Sequence, residues 1–294
     1  MRENIEYAFV KLFLWLASIA PQSFVYSMMK ALTLFVYHLD KKRRHLTLTN
    51  LTMAFPEKTS EEIVTLSKEV YIELSKTITE ILLMFVGKFD IDKAIKNRDE
   101  AKEKLQELAQ NSPHGIVFMT AHFSNWELMA HFIAKNGFPM IVIGRKGNNR
   151  LIEANITTPF REKYGNSAVS KDKAMLSMMK KLKAKGNVGL LTDQKSGGSL
   201  SAKIDFFGKP AETTLSVASL KLKLDPLIVP VFVVRDSDGL YKLVINEPVA
   251  YVADEIEDQQ KKLEAMTLKY NQAIEDIVRK YPSQWFWMHN RWRM

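Results

Sequence analysis

The chain has 294 residues, with 42 Lys and Arg against 33 Asp and Glu, a net charge of +9, 46% hydrophobic residues and no cysteine. Such a composition excludes a disordered or fibrous protein, and the missing cysteines exclude disulfides, thiolate nucleophiles and cysteine-ligated zinc. The basic excess points to an anionic partner, either a phosphate-bearing polymer or a membrane surface.

Residues 12–29 carry no charge, Lys30 alone interrupts the way to Leu39, and Asp40-Lys41-Lys42-Arg43-Arg44-His45 follows. Pro21-Gln22 divides this apolar stretch, so it predicts two short helices and not one clean span of about 20 residues. Glu3 and Glu6 spoil a basic leader, and Pro21 stands where a cleaved signal peptide would need its cut. Residues 1–40 are therefore expected to form an uncleaved membrane anchor, spanning or lying in the interface, with the basic cluster on anionic lipid. A buried helical hairpin is the alternative.

Residues 41–294 form the second unit, a helical lead-in over 41–110 and an α/β core over 111–294. Within the lead-in, Thr59-Ser60-Glu61-Glu62 offers an N-cap, and Ile63, Leu66, Val70, Leu74, Ile78 and Ile81 follow at helical spacing. Short β-rich runs then appear at 115–120, 139–143, 187–192, 227–234 and 241–246. Helical segments at 124–136, 148–163, 172–185 and 213–224 mostly separate them, and a last helix covers 254–281. That alternation predicts an α/β fold with a mixed, largely parallel sheet flanked by helices. The stretch 193–212, with Ser196-Gly197-Gly198-Ser199, is expected to be an irregular active-site loop.

The candidate chemistry centres on Ala121-His122-Phe123-Ser124-Asn125-Trp126-Glu127, where a histidine sits at a strand-to-helix junction. A carboxylate five residues on, at Glu127, can hold the imidazole in one tautomer and leave its other nitrogen as a general base. Glu127 also fits a capping box begun by Ser124, so two roles compete for one carboxylate. Arg145 follows the strand at 139–143 and can hold a phosphate or polarise a carbonyl. Asp193-Gln194 follow the strand at 187–192, where open sheets collect ligand contacts. Near the end, Trp285-Phe286-Trp287-Met288-His289-Asn290-Arg291-Trp292-Arg293 interleaves aromatic and basic residues, a composition suited to a bilayer interface or, less so, to nucleic-acid bases. No zinc-binding spacing, phosphate loop or serine elbow occurs, so neither a metal nor a cofactor is expected.

Taken in order, His122-x4-Glu127, Arg145, Asp193-Gln194, Phe206-Phe207-Gly208 and Thr213-Thr214 resemble the lysophospholipid acyltransferase superfamily. More narrowly, Asn50-Leu51-x-x-Ala54-Phe55-Pro56-Glu57 and Gln284-x-x-Trp287-x-His289-x-Arg291 resemble the late lauroyl and myristoyl transferases of lipid A synthesis. The resemblance implies a glycerol-phosphate-acyltransferase-like fold and transfer of a fatty acyl chain from acyl carrier protein to a hydroxyl of a lipid A precursor. It also implies an inner-membrane location with the site facing the cytoplasm and no role for nucleic acid. His122 and Glu127 are then the catalytic pair, and Arg145, Asp193, Gln194 and Arg291 contact substrate. A different lipid acceptor, or a basic membrane-binding protein without activity, remains the alternative.

Overall fold

The computed structural model of this chain describes residues 2–144, 147–170 and 174–292. It begins with α1 (Arg2–Ile19) and α2 (Gln22–Leu39), separated at Pro21 as the sequence predicts. In α3 (Lys41–Ala54) the first turn is capped by Asp40, whose carboxylate accepts the Arg43 N–H. The capping box at Thr59 opens the long α4 (Ser60–Phe85), with Glu62 closing it. Short α5 (Ile91–Ala94) and α6 (Arg98–Gln110) complete the lead-in.

Among the described residues no helix is long and apolar enough to cross a membrane, so the spanning anchor is not supported. Arg2, Glu3, Glu6 and Lys11 dilute α1, and proline divides it from α2. A buried hairpin does not describe the pair either. Ile5, Phe9, Leu12, Leu16 and Ile19 form an exposed apolar stripe on α1, and Phe24, Met28, Leu32, Phe35 and Leu39 form another on α2. Their opposite sides pack against α4 through Ala17, Val25, Met29 and Leu82.

The core then alternates. β1 (Ile116–Thr120) leads to α7 (Trp126–Lys135), and β2 (Met140–Gly144) leads to a helical segment built of α8 (Arg150–Ile152), a π turn (Glu153–Thr157) and α9 (Thr158–Glu162). β3 (Ser167–Ser170), α10 (Ala174–Lys183) and β4 (Asn187–Leu191) follow. A hairpin of β5 (Ser201–Phe206) and β6 (Lys209–Thr214) precedes α11 (Ser216–Leu224), β7 (Leu227–Arg235), β8 (Tyr241–Ile245) and α12 (Gln259–Lys280). Six strands form one sheet in the order β3-β2-β4-β1-β7-β8, parallel throughout except where β8 runs against β7. Every residue of β1 is buried, as a central parallel strand with both faces covered requires.

Of the irregular loop expected over 193–212, residues 193–200 are irregular and 194–200 line a cavity, whereas from Ser201 on it is replaced by the hairpin. Its turn residues Phe207 and Gly208 both have positive φ, 55° and 68°, which suits a two-residue connection between antiparallel strands. The aromatic tail is also corrected. Trp285, Trp287 and Trp292 are buried against Phe55, Phe206 and Phe207, so these indoles are core and not a bilayer-facing belt.

Strand order fixes where a site can form. From β1 the chain passes through α7, which packs with Phe118 on one face, and returns at β2. From β4 it passes through α11, which packs with Val117 and Val188 on the other face, and returns at β7. Neighbouring strands whose connections leave to opposite faces open a crevice at their C-terminal ends.

Candidate active site

Thr120 of β1 and Leu191 of β4 are paired, and His122 and Asp193 each stand two residues beyond them in that crevice. His122 Nδ1 lies 2.9 Å from Asp193 Oδ1, while the His122 backbone N–H donates to Oδ2 at 2.9 Å. The Trp285 indole N–H donates to the same Oδ2 at 2.8 Å. A carboxylate that receives Nδ1 selects the tautomer protonated there, so Nε2 is the nitrogen left for a substrate proton. Burial disfavours the charged forms of both side chains, but their mutual charge and hydrogen bonding outweigh it. His122 is therefore held above its ordinary pKa and Asp193 below its own.

This geometry corrects two expectations. Asp193, expected as a substrate contact, is only 1% exposed and lies beneath the imidazole with its carboxylate bonded to protein donors. Glu127 is not the partner of Nδ1, nor does it close a capping box from Ser124. The N-cap of α7 is Asn125, whose Oδ1 accepts the Leu128 N–H at 3.0 Å. The Glu127 carboxylate faces the same cavity as His122, lies 3.9 Å from Arg161 Nε, and adds only a minor favourable charge to the ring.

The turn that carries His122 is clamped from two directions. Ser124 has φ +50°, and its N–H donates to Gln284 O at 2.7 Å, while the Phe286 N–H donates to His122 O at 3.1 Å. Residues 284–286 thus lie beside 122–124 like a short added strand, with Phe123 bridged to Trp285. Below the turn, Asn125 Nδ2 donates to buried Glu80 at 3.0 Å, and Thr77 Oγ1 donates to Ser124 O at 3.3 Å. Glu80 also receives Arg235, Tyr241 and, at 3.3 Å, the Tyr26 hydroxyl of α2. A second arm of Arg235 reaches Glu73 at 3.0 Å.

A cavity of about 620 Å³ opens beside His122, lined by Trp126, Glu127, Arg161 and Gln194 at its polar end and by methionines deeper in. Gln194 thus stands where the sequence places it. The backbone N–H of Lys195 donates to His289 Nε2 at 3.0 Å, which pins the start of the cavity-lining segment and requires that nitrogen to be unprotonated. Burial accordingly depresses the His289 pKa. Arg291 is not in the cavity. It is buried beneath the hairpin, bonded to the Glu212 carbonyl and, at 2.5 Å, to Thr213 Oγ1, and burial lowers its pKa to about 10. Arg145 lies outside the described residues. Sequence reasoning missed Arg161, which lines the cavity together with Lys195, because one arginine on a helix carries no local signal. Among the described residues no group of three or more His, Asp or Glu side chains is placed to hold a metal ion.

The model of the bacterial lipid A biosynthesis acyltransferase family matches residues 2–294. The chain belongs to that family. One curated relative, lipid A biosynthesis acyltransferase 2 of Shigella flexneri, is 22% identical over 281 residues, which cover 92% of this chain and 84% of the relative. The protein is thus an acyltransferase of lipid A synthesis, and the His122–Asp193 crevice is the place in this acyltransferase where an imidazole, a buried carboxylate and a cavity meet.

Proposed function

We propose that this acyltransferase moves a fatty acyl group from acyl carrier protein to a hydroxyl of a lipid A precursor, with His122 as general base. The observation that carries this reading is the buried Asp193 carboxylate on Nδ1 of His122, at the rim of the cavity. His122 Nε2 takes the proton of the acceptor hydroxyl as its oxygen attacks the thioester carbonyl. The new C–O bond gives a tetrahedral oxyanion, the C–S bond breaks on its collapse, and the departing thiolate takes the proton from Nε2. Asp193 holds the ring and favours the imidazolium formed between the two steps. No acyl-enzyme is needed, because a thioester is already an activated donor.

Glu127 and Arg161 line the cavity with His122, and Arg161 is a cation available to a phosphate or a developing oxyanion. Lys180, Lys183 and Lys185, exposed on and just past α10, suit docking of an acidic carrier protein. The stripes of α1 and α2 suit an interfacial seat on the anionic cytoplasmic face of the inner membrane, with the helices lying in the surface and not crossing it. His122→Ala, checked to be folded, should lose at least ~10²-fold in turnover. Near-normal transfer of acyl groups from acyl carrier protein to a lipid A precursor by that variant would overturn the proposal.

A further inference from the structure

The cavity has two sides, because it wraps the C-terminal ends of β2 and β4. Met140 and Val142 of β2 point to the α7 face with Phe118 and Met129, whereas Ile141 and Ile143 point to the α10 face with Val188, Leu190 and Met178. Gly189 lies between Val188 and Leu190, so by strand alternation it belongs to the α7 face. It is paired with Val142.

On that face the sheet has no side chain at Gly189, and the gap is covered by Met140. A Cβ built at Gly189 would collide with the Met140 sulfur and would lie 3.6 Å from Val142 Cγ1. The result is a slot between the sheet and α7. His122, Glu127 and Arg161 stand at its mouth, and Met129, Val142 and Gly189 line its length. Asn166 and His131 also line the cavity, and both are held by hydrogen bonds. Asn166 Oδ1 accepts the Met140 N–H at 2.9 Å, and Asn166 Nδ2 donates to Ala130 O at 3.3 Å. The His131 ring bridges the carbonyls of Glu127 and Phe160 at 2.7 and 2.8 Å. Met129 receives Thr120 Oγ1 on its sulfur at 3.7 Å, which leaves the unbranched Met140 thioether as the movable element over the glycine.

We propose that the fatty chain of the acyl donor lies in this slot and that Met140 is the stop that sets its length. The inference rests on the reading of His122 as the acyl-transfer base, since a thioester carbonyl at that nitrogen sends its chain along the glycine floor. Removing the Met140 side chain opens the slot by two further strand residues, about 7 Å. A side chain at Gly189 pushes the stop toward the mouth.

The test gives purified full-length protein a mixture of acyl thioesters differing by two carbons, with one lipid A precursor, and reads the products by mass spectrometry. The rise in melting temperature with free fatty acids of the same lengths is read in parallel. Met140→Ala should move the preferred chain at least one two-carbon step longer, by a factor of about ten or more in relative use, and Gly189→Ala should move it shorter. The fatty-acid optimum should move the same way. If Met140→Ala fails to fold, Met140→Val and Gly189→Ala carry the test. Transfer with an unmoved optimum in the folded variants overturns the slot assignment, as does an optimum moved by Met178→Ala and not by Met140→Ala. A fatty-acid optimum that moves in a protein showing no transfer keeps the slot and overturns the transfer reading.

Discussion

Asp193 accepts from the His122 ring, the His122 N–H and the Trp285 indole, so its carboxylate is fully committed to one imidazole. Asp193→Asn keeps the shape and removes the charge, and turnover should fall by about 10²–10⁴-fold. The sign of the accompanying pH effect follows from what each residue does to His122. His122 is held above its ordinary value, so activity that needs its ring unprotonated should be lost as pH is lowered through a midpoint above about 6.5. Without the Asp193 charge, burial prevails and that midpoint moves to lower pH. Glu127→Gln should shift it the same way by less, because Glu127 is the minor contributor. Profiles of kcat/KM against pH for the three proteins check both statements, and an equal or larger shift in Glu127→Gln would restore Glu127 as the partner. The sequence made His122 legible through its junction but misassigned its acid. Glu127 is close in the chain, whereas Asp193 reaches the ring from 71 residues away through strand pairing.

At the scale of elements, the strands buried on both faces were legible because they read as unbroken apolar runs. Neither β3 nor the β5–β6 hairpin was. Ser167–Ser170 is a short polar edge, and the hairpin's buried Ile204, Phe206 and Ala211 alternate with Lys, Asp and Glu in a stretch dominated by serine and glycine. The ion cluster beneath the His122 turn was equally hidden, because Glu80 and Arg235 are 155 residues apart. Glu80→Ala leaves Arg235 buried with Glu73 as its remaining carboxylate, and it frees Asn125 at the start of α7. Unfolding free energy should drop by about 3–5 kcal/mol in urea titrations. Trp285→Phe is gentler, removing one donor from Asp193 at about 1–3 kcal/mol. Its activity should fall further than Glu127→Gln if the indole positions the carboxylate, and assays of the two variants side by side decide it.

The whole molecule is asymmetric: most of its exposed large hydrophobic residues lie on α1 and α2. Phe9→Glu with Phe35→Glu should cut sedimentation with anionic vesicles by about tenfold or more without lowering the melting temperature, because both side chains are exposed and unburied by design of the stripe. Unchanged sedimentation would remove the interfacial seat. A different consequence attaches to the segment 284–292. It is made by the ribosome roughly ninety residues after Asp193 and more than a hundred and fifty after His122, yet it supplies the strand beside the turn and the indole on the carboxylate. A nascent chain still lacking it, or one clipped ahead of Gln284 by a protease, would carry the sheet and the cavity but an unsteadied His122 imidazole. The support of His122 and Asp193 would thus be complete only once residues 284–286 have been made.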